Sequence, residues 1–260
     1  MNFKMPTLNP TEQKQSAKTL LSDFLASNPF PHPLTEGFFY REKMRAIHYI
    51  APDRPFENIL EVGGGQGGLT ALLYPQAQIT NIDLDPSYAF APCNQQQRIR
   101  FVCADATALP FDNHTFDVVT MFDVLEHIPA HEKAVSEALR VLQPGGFLLI
   151  STPNENWRFP YYGLMQSICP SDTEIMAQWG HVRRGYTLAE LENLIGLPCS
   201  SHATFINPLT VLAHDIGFSS LSQRKRRFFC TMLSPLTWTS YYLHQPQALG
   251  TQTASIWHKR

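Results

Sequence analysis

The amino-acid sequence predicts an α/β fold, a mostly parallel sheet with helices on both faces. Two observations carry that prediction. Between Asn58 and Thr152 short apolar runs alternate with helical stretches, and the first run passes straight into a glycine-rich turn and then a helix. With 260 residues the chain has room for one such domain plus extensions at its ends.

The first fifty residues divide at Asn28-Pro29-Phe30-Pro31-His32-Pro33, because prolines this dense do not lie inside a helix. One helix is expected before that run, Thr11 to Ala26. A second is expected after it, Glu36 to Ile50, with Phe39, Met44 and Ile47 to Ile50 forming a partly apolar face. These leading helices make residues 1–55 an N-terminal extension, read as packing on the sheet rather than covering a pocket. Residues 56–260 form the main domain: a core at 56–155, a cap or acceptor region at 156–250 and a terminal strand within 251–260.

Within the core, strands are expected at Ile59–Val62, Gln78–Ile82, Arg100–Cys103, Phe116–Met121 and Phe147–Ser151. Helices fall between them near Gly67–Leu73, Pro86–Asn94, Val124–His127 and His131–Leu142, the last stopped by Gly145-Gly146 after Pro144. Beyond Pro153 come aromatic-rich loops (Trp157, Phe159, Tyr161, Tyr162), a helix at Leu188–Ile195 and a last strand at Thr253–Trp257. Asn207 to Gly250, with Pro208, Pro235 and Pro246 between apolar patches, reads as an inserted helical cap.

Lys plus Arg number 20 and Asp plus Glu 22, a formal charge of -2, which lacks the basic excess of a nucleic-acid binder. Met1 to Ser27 has no apolar core after basic residues, and no run approaches the ~18 apolar residues of a membrane span. A cytoplasmic protein without integral membrane association or a nucleic-acid partner is expected; composition leaves the oligomeric state open. Cys93, Cys103, Cys169, Cys199 and Cys230 are scattered and form no C-x-x-C pair, so neither a disulfide framework nor a thiolate metal site is expected.

The densest signal is ILEVGGGQGGLT, residues 59–70. Glycines let the backbone approach a ligand closely, and the N–H groups opening the next helix face whatever sits there. Two chemistries fit. Gly63, Gly65 and Gly68 satisfy a dinucleotide G-x-G-x-x-G pattern with Asp83 at the ribose-binding distance, as in a nicotinamide-dependent oxidoreductase. Glu61 argues for the other: a carboxylate beside the turn repels a pyrophosphate, whereas the ammonium of S-adenosylmethionine is attracted by it. The oxidoreductase reading also lacks a visible Tyr-x-x-x-Lys pair.

Glu61-x-Gly63-x-Gly65-x-Gly67 resembles the first motif of class I methyltransferases, and the next segments follow in the family's order. NIDLD (81–85) is similar to the second-strand motif, CADATALPFDNHTFDVV (103–119) to the third, and MFDVLEHIP and VLQPGGFLLIST to the fourth and fifth, especially in the ubiquinone-pathway and other small-molecule branches. The resemblance covers about residues 56–155. It implies a Rossmann-like, seven-stranded, mostly parallel sheet and S-adenosylmethionine as cofactor, with Glu61, Gly63, Gly64, Gly65, Gly67, Asp83, Leu84, Asp105, Ala106 and Phe122 around it. Asp83 would accept from both ribose hydroxyls, Asp105 from the adenine amino group, and the Ala106 N–H would donate to the ring. Methyl transfer to a small molecule, most readily at oxygen, is the implied activity; a protein that binds the cofactor without turnover is the third reading.

Ligands of open α/β sheets lie at the carboxyl ends of the strands, which puts Phe122, Asp123, Glu126 and His127 beside the expected methyl position. His127 is the first candidate base and His181 the second candidate catalytic residue. Asp123, Glu126 and His127 are spaced to share a helix face and hold a divalent cation, as matching positions do in some relatives; Asp123 as an N-cap with Glu126 at N3 is the preferred reading, and no metal ligand is assigned. Gly180-His181-Val182-Arg183-Arg184-Gly185-Tyr186 is similar to a segment of small-molecule methyltransferases, with two readings open: His181 and Tyr186 line the acceptor pocket and Arg183 meets an acidic acceptor, or these residues serve loop packing and helix entry, which weighs at least as much. Arg224-Lys225-Arg226-Arg227 is read as a solvated basic face.

Overall fold

A computed structural model describes residues 17–30 and 32–260. In chain order its elements are α1 (Leu21–Ala26), α2 (Glu36–Ile50), β1 (Asn58–Val62), α3 (Leu69–Leu73), β2 (Gln78–Asp83), β3 (Ile99–Cys103), β4 (Phe116–Phe122), α4 (His131–Val141), β5 (Leu142–Pro153), α5 (Asp172–Trp179), α6 (Leu188–Ile195), β6 (Ser201–Phe205), α7 (Thr210–Phe218), α8 (Gln223–Leu243) and β7 (Gln252–His258). The strands form one seven-stranded sheet in the order β3-β2-β1-β4-β5-β7-β6. Strands β1 to β5 run parallel, and β7 is antiparallel to both of its neighbours. This is the mostly parallel, Rossmann-like sheet that the alternating pattern predicts.

Both faces of the central strands are buried, which is why those strands read as short, largely apolar runs. Successive side chains point to opposite faces. Ile59 packs with Ile47, Leu73 and Leu149 on the side of α1, α2 and α3, while Leu60 packs with Val119, Val135 and Leu191 on the side of α4 and α6. Ile59, Leu60, Val118, Val119, Leu148 and Leu149 are all 0% exposed. At about 1.5–3 kcal/mol per fully buried side chain, this central strip is the main source of stability. α2 has the expected bounds and lays its apolar face on β6 and β7.

Several elements depart from the sequence reading. Of the helix expected from Thr11 to Ala26, the part up to Ser16 lies outside the described residues, and the rest is helical only from Leu21. The Asp53 carboxylate accepts from the N–H groups of Ala17 and Lys18, and the Leu73 carbonyl from that of Thr19, drawing these residues off any helical path. Pro86–Asn94 is not one helix but two short 3-10 turns, Pro86–Phe90 and Cys93–Gln95. Pro92 keeps Ala91 extended, at φ -63° and ψ 138°. α3 begins at Leu69 rather than Gly67, because Gly67 and Gly68 take φ of 73° and 113°.

α4 ends without a glycine cap. Leu142 leaves the helix already extended and pairs with Phe116, so Gln143 to Gly146 becomes an irregularity within β5 instead of a separate turn. The aromatic loops after Pro153 include a helix missed in the sequence, α5, opened by a Ser171–Glu174 capping box. The cap expected over 207–250 consists of α7 and α8. Pro235 lies inside α8, where it cannot donate to the Thr231 carbonyl; the Ser234 hydroxyl donates there instead, at 2.8 Å. The five cysteines are free thiols, and no helix among the described residues is long and apolar enough to cross a membrane.

Candidate cofactor and acceptor cleft

β1 and β4 are adjacent, yet the chain proceeds from β1 towards β2 and β3 on one side and from β4 towards β5 on the other. Loops leaving such a switch point diverge and open a crevice at the carboxyl ends of the strands. A cleft of about 690 Å³ lies there, walled by Gly63 after β1, Asp83 and Leu84 at the end of β2, Asp105 and Ala106 after β3, and Asp123 and His127 after β4.

Local chemistry holds these walls. Gly63 sits at φ 65°, and a Cβ there would lie 2.6 Å from Val124 Cγ2, so only glycine fits under the loop leaving β4. The Asp83 carboxylate accepts from the N–H groups of Gly65 (3.0 Å) and Asp85 (3.1 Å), which aims it into the cleft from the end of its strand. Asp105 accepts from the Thr107 N–H at 2.7 Å, a bond that holds its carboxyl below the usual carboxylate range. Four aspartates, Asp83, Asp85, Asp105 and Asp123, line the cleft, and no lysine or arginine among the described residues does. Such walls suit a cationic ligand that offers hydroxyl and amino donors, and they repel a diphosphate. The residues present therefore fit a sulfonium nucleoside and do not fit a dinucleotide.

Glu61, which the sequence reading placed beside the ammonium, is turned the other way. It is 4% exposed, lies under α3 with hydrogen bonds from Thr70, and burial pushes its carboxyl up to about 7. The carboxylates that line the cleft are those of the four aspartates rather than that of Glu61. Gly64, Gly65 and Gly67 shape the turn without lining the cleft, and Phe122 packs into the core on the α1–α3 side.

Asp123 caps no helix. It sits at φ 54°, its N–H donates to the Ser151 carbonyl at 2.8 Å, and its carboxylate accepts from the Ser151 hydroxyl and the Lys43 ammonium, both at 2.7 Å. Burial opposes its charge, yet Lys43 and these hydrogen bonds hold the carboxyl below the usual range. Glu126 follows on a single 3-10 turn, Leu125–His127, so the helix face imagined for a metal site with Asp123 and His127 does not form. Glu126 is 1% exposed, and burial beside the negative Asp123 pushes its carboxyl up to about 8.

His181 converges with Glu126 and His127 instead, their potential ligand atoms all lying within 4.8 Å of one another. The two imidazoles meet edge to face with centroids 4.8 Å apart. Trp157 and Trp179 close around His181, and burial, reinforced by His127, lowers its pKa to about 4, so it is neutral at pH 7. Nδ1 of His127 lies 3.2 Å from the Gly180 carbonyl.

Two neighbours are structural rather than substrate-facing. Arg183 donates to the carbonyls of Leu125 (2.6 Å), Ile128 (2.7 Å) and Pro129 (3.2 Å) and to the Tyr186 hydroxyl (2.9 Å), so its fork is spent on the turn that carries His127. Tyr186 is 5% exposed and donates to the Leu125 carbonyl, so it does not line an acceptor pocket. The sequence reading missed Lys43 and the two tryptophans. A lone lysine between Phe39 and Ile47 on a buried helix face was the available signal for the first.

The model of the methyltransferase domain family matches residues 60–150. Among curated proteins, the ubiquinone biosynthesis O-methyltransferase of Coxiella burnetii (strain Dugway 5J108-111) is 30% identical over 159 residues, covering 54% of this chain and 68% of that protein. The chain belongs to the class I S-adenosylmethionine-dependent methyltransferases. A ubiquinone/menaquinone biosynthesis C-methyltransferase of Stutzerimonas stutzeri is also 30% identical, over 57% of this chain and 62% of its own. Among solved structures, the N-methyltransferase NodS of Bradyrhizobium japonicum in complex with S-adenosyl-L-homocysteine superposes with a TM-score of 0.51 at 15% identity, covering 92% of this chain and 96% of that one. A methyltransferase from Thermotoga maritima gives a TM-score of 0.53 at 16% identity over 86% and 90% of the two chains. The methyltransferase thus takes S-adenosylmethionine as its cofactor, and the nicotinamide reading is set aside.

Proposed function

We propose that this methyltransferase methylates a small-molecule acceptor at oxygen, with His127 accepting the hydroxyl proton. One observation carries the reading. A carbonyl can only accept, so the contact with Gly180 keeps the hydrogen on His127 Nδ1 and leaves Nε2 with a free lone pair on a ring that lines the cleft. A base is needed chiefly when the acceptor is a neutral hydroxyl, since a phenol with a pKa near ~10 is mostly protonated at pH 7.

When bound, the cofactor supplies a methyl group made electrophilic by its positive sulfur. Asp83 would take the ribose hydroxyls, Asp105 the adenine amino group, and the Ala106 N–H the ring, with Leu84 as an apolar wall. Gly63 gives close approach. Glu61, Gly64, Gly65 and Gly67 act by shaping the turn, and Phe122 by packing beneath the end of β4. His127 Nε2 would hold the proton of the acceptor's hydroxyl, and neutral His181 with Trp157 and Trp179 would line the acceptor side without adding charge. The Coxiella relative, named an O-methyltransferase, supports the choice of oxygen.

The test is mass spectrometry of hydroxylated metabolites incubated with enzyme and isotopically labelled cofactor, looking for one labelled methyl on oxygen. His127→Gln is expected to lower kcat by about 10²–10⁴ with cofactor affinity unchanged. Methyl transfer at full rate by that variant, or a label found only on carbon or nitrogen, would reject the proposal.

A further inference from the structure

We propose that the outward face of α8 docks this protein on an anionic lipid surface. α8 buries Cys230, Thr237 and Tyr241 against the body. At about 100° per residue, Phe228, Phe229, Met232, Leu236, Tyr242 and Leu243 all fall in one sector of about 140° on the opposite side. They are between 43% and 71% exposed. Isolated exposed apolar residues need no explanation, but six on one helix face form a contiguous patch.

Charge identifies the occupant. Arg224 and Lys225 stand exposed at the N-terminal end of the same face, and neither enters an ion pair or hydrogen bond among the described residues. Arg226 is spent on the carbonyls of Leu221 and Gly217, and Arg227 on His32. α8 contains no Asp or Glu. Beside the two free cations is a shallow groove of about 440 Å³ whose apolar part includes Ile168, Leu221, Phe228 and Phe229. A phosphate headgroup at Arg224 and Lys225 with acyl chain against the phenyl rings satisfies both halves of this surface. A second copy does not, because apposing two such faces brings cations to a surface that has no carboxylate to meet them. The attraction is local: the whole chain carries a formal charge of -2, but headgroup charges act within a Debye length of about 8–10 Å. No helix among the described residues is long and apolar enough to cross a bilayer, and α8 would lie along the interface.

Co-sedimentation of the full chain with vesicles tests this. Binding to phosphatidylglycerol vesicles and little to phosphatidylcholine vesicles is expected. R224Q combined with K225Q should weaken binding about thirtyfold, and added salt should do the same. F228S combined with M232S should abolish sedimentation while the melting temperature and cofactor affinity stay at wild-type values, since neither side chain is buried. Equal binding to both vesicle types, or none to either, would overturn the proposal. A dimer detected by sedimentation velocity and dissolved by F228S with M232S would assign the face to a second copy and overturn it equally.

Discussion

The ammonium of Lys43, on α2, lies 2.7 Å from Oδ2 of Asp123, 80 residues later and just past the end of β4. The pair ties α2 to the wall of the cleft after β4, and it holds a non-glycine residue in the left-handed region. The Lys43 side chain is 13% exposed and that of Asp123 34%, between the surface and fully buried regimes of ion-pair energetics. Lys43→Met is therefore expected to cost about 1–3 kcal/mol of stability. It should also slow methyl transfer by loosening the loop that carries His127. A double-mutant cycle with Asp123→Asn checks it; additive effects would show that the pair carries no coupling.

Stability is expected to fall as pH rises from about 6.5 to 8. Burial pushes Glu42 and Glu126 up to about 8 and Glu61 to about 7. In that window the folded chain still holds protons that these carboxyls have released in the unfolded chain, so raising the pH favours unfolding, by up to about 1.4 kcal/mol per pH unit for each fully protonated group. Histidines whose pKa is lowered in the fold, such as His181, oppose the trend only below about 6.5, where they are charged in the unfolded chain. Glu42 isolates the effect, because it lies away from the cleft, accepts from the Thr210 hydroxyl and the Ile206 N–H, and finds no partner at Oε2 among the described residues. Glu42→Gln should flatten the slope of melting temperature against pH and raise stability at pH 8.

Removing the Arg183 fork should unfasten the turn after β4. Arg183→Met takes its donor from the Ile128 and Pro129 carbonyls and from the Tyr186 hydroxyl oxygen, and one of two donors from the Leu125 carbonyl, which keeps the Tyr186 hydroxyl; a loss of about 1–3 kcal/mol is expected. Arg183→Lys should recover only part of it, since a point charge cannot span the same acceptors. Chemical denaturation of the two variants measures both effects.

Gly63→Ala is expected to abolish cofactor binding and lower stability, because its Cβ would clash with Val124 at a backbone angle that alanine resists. Val124→Ala in the same chain should relieve the clash and leave the backbone strain. Titration with S-adenosyl-L-homocysteine, followed calorimetrically, separates the two contributions.

Asp83→Ala should cut affinity for S-adenosylmethionine while Glu61→Gln changes it little. Asp83 faces the cleft and Glu61 faces α3. Thermal shift with added cofactor distinguishes them; equal losses would return Glu61 to the binding surface.

Much of the architecture is legible without a structure because its causes are local. Parallel strands buried on both faces read as largely apolar runs, and a strand that turns directly into a helix against a ligand favours glycine. Thus β1, β2, β3 and β4 and the turn at Gly63 to Gly68 stand close to where the residues alone put them, and Asp83 and Asp105 follow as the acids just past their strands. At two places where prediction failed, a distant partner had overridden a local preference: Leu142 joined Phe116 instead of finishing a helix, and Asp53 drew Ala17 and Lys18 out of one.

By itself, then, the sequence determined the sheet, the glycine turn and the family of the chain, through periodicity and spacing that each segment carries internally. Only the tertiary structure decided which acids face the cleft, that His181 rather than Asp123 joins Glu126 and His127, and that Arg183 is spent on backbone carbonyls. Those outcomes depend on the direction of a side chain and on charges from segments far away in the chain. Burial and Coulomb interactions act through space, and no pattern along one strand encodes them.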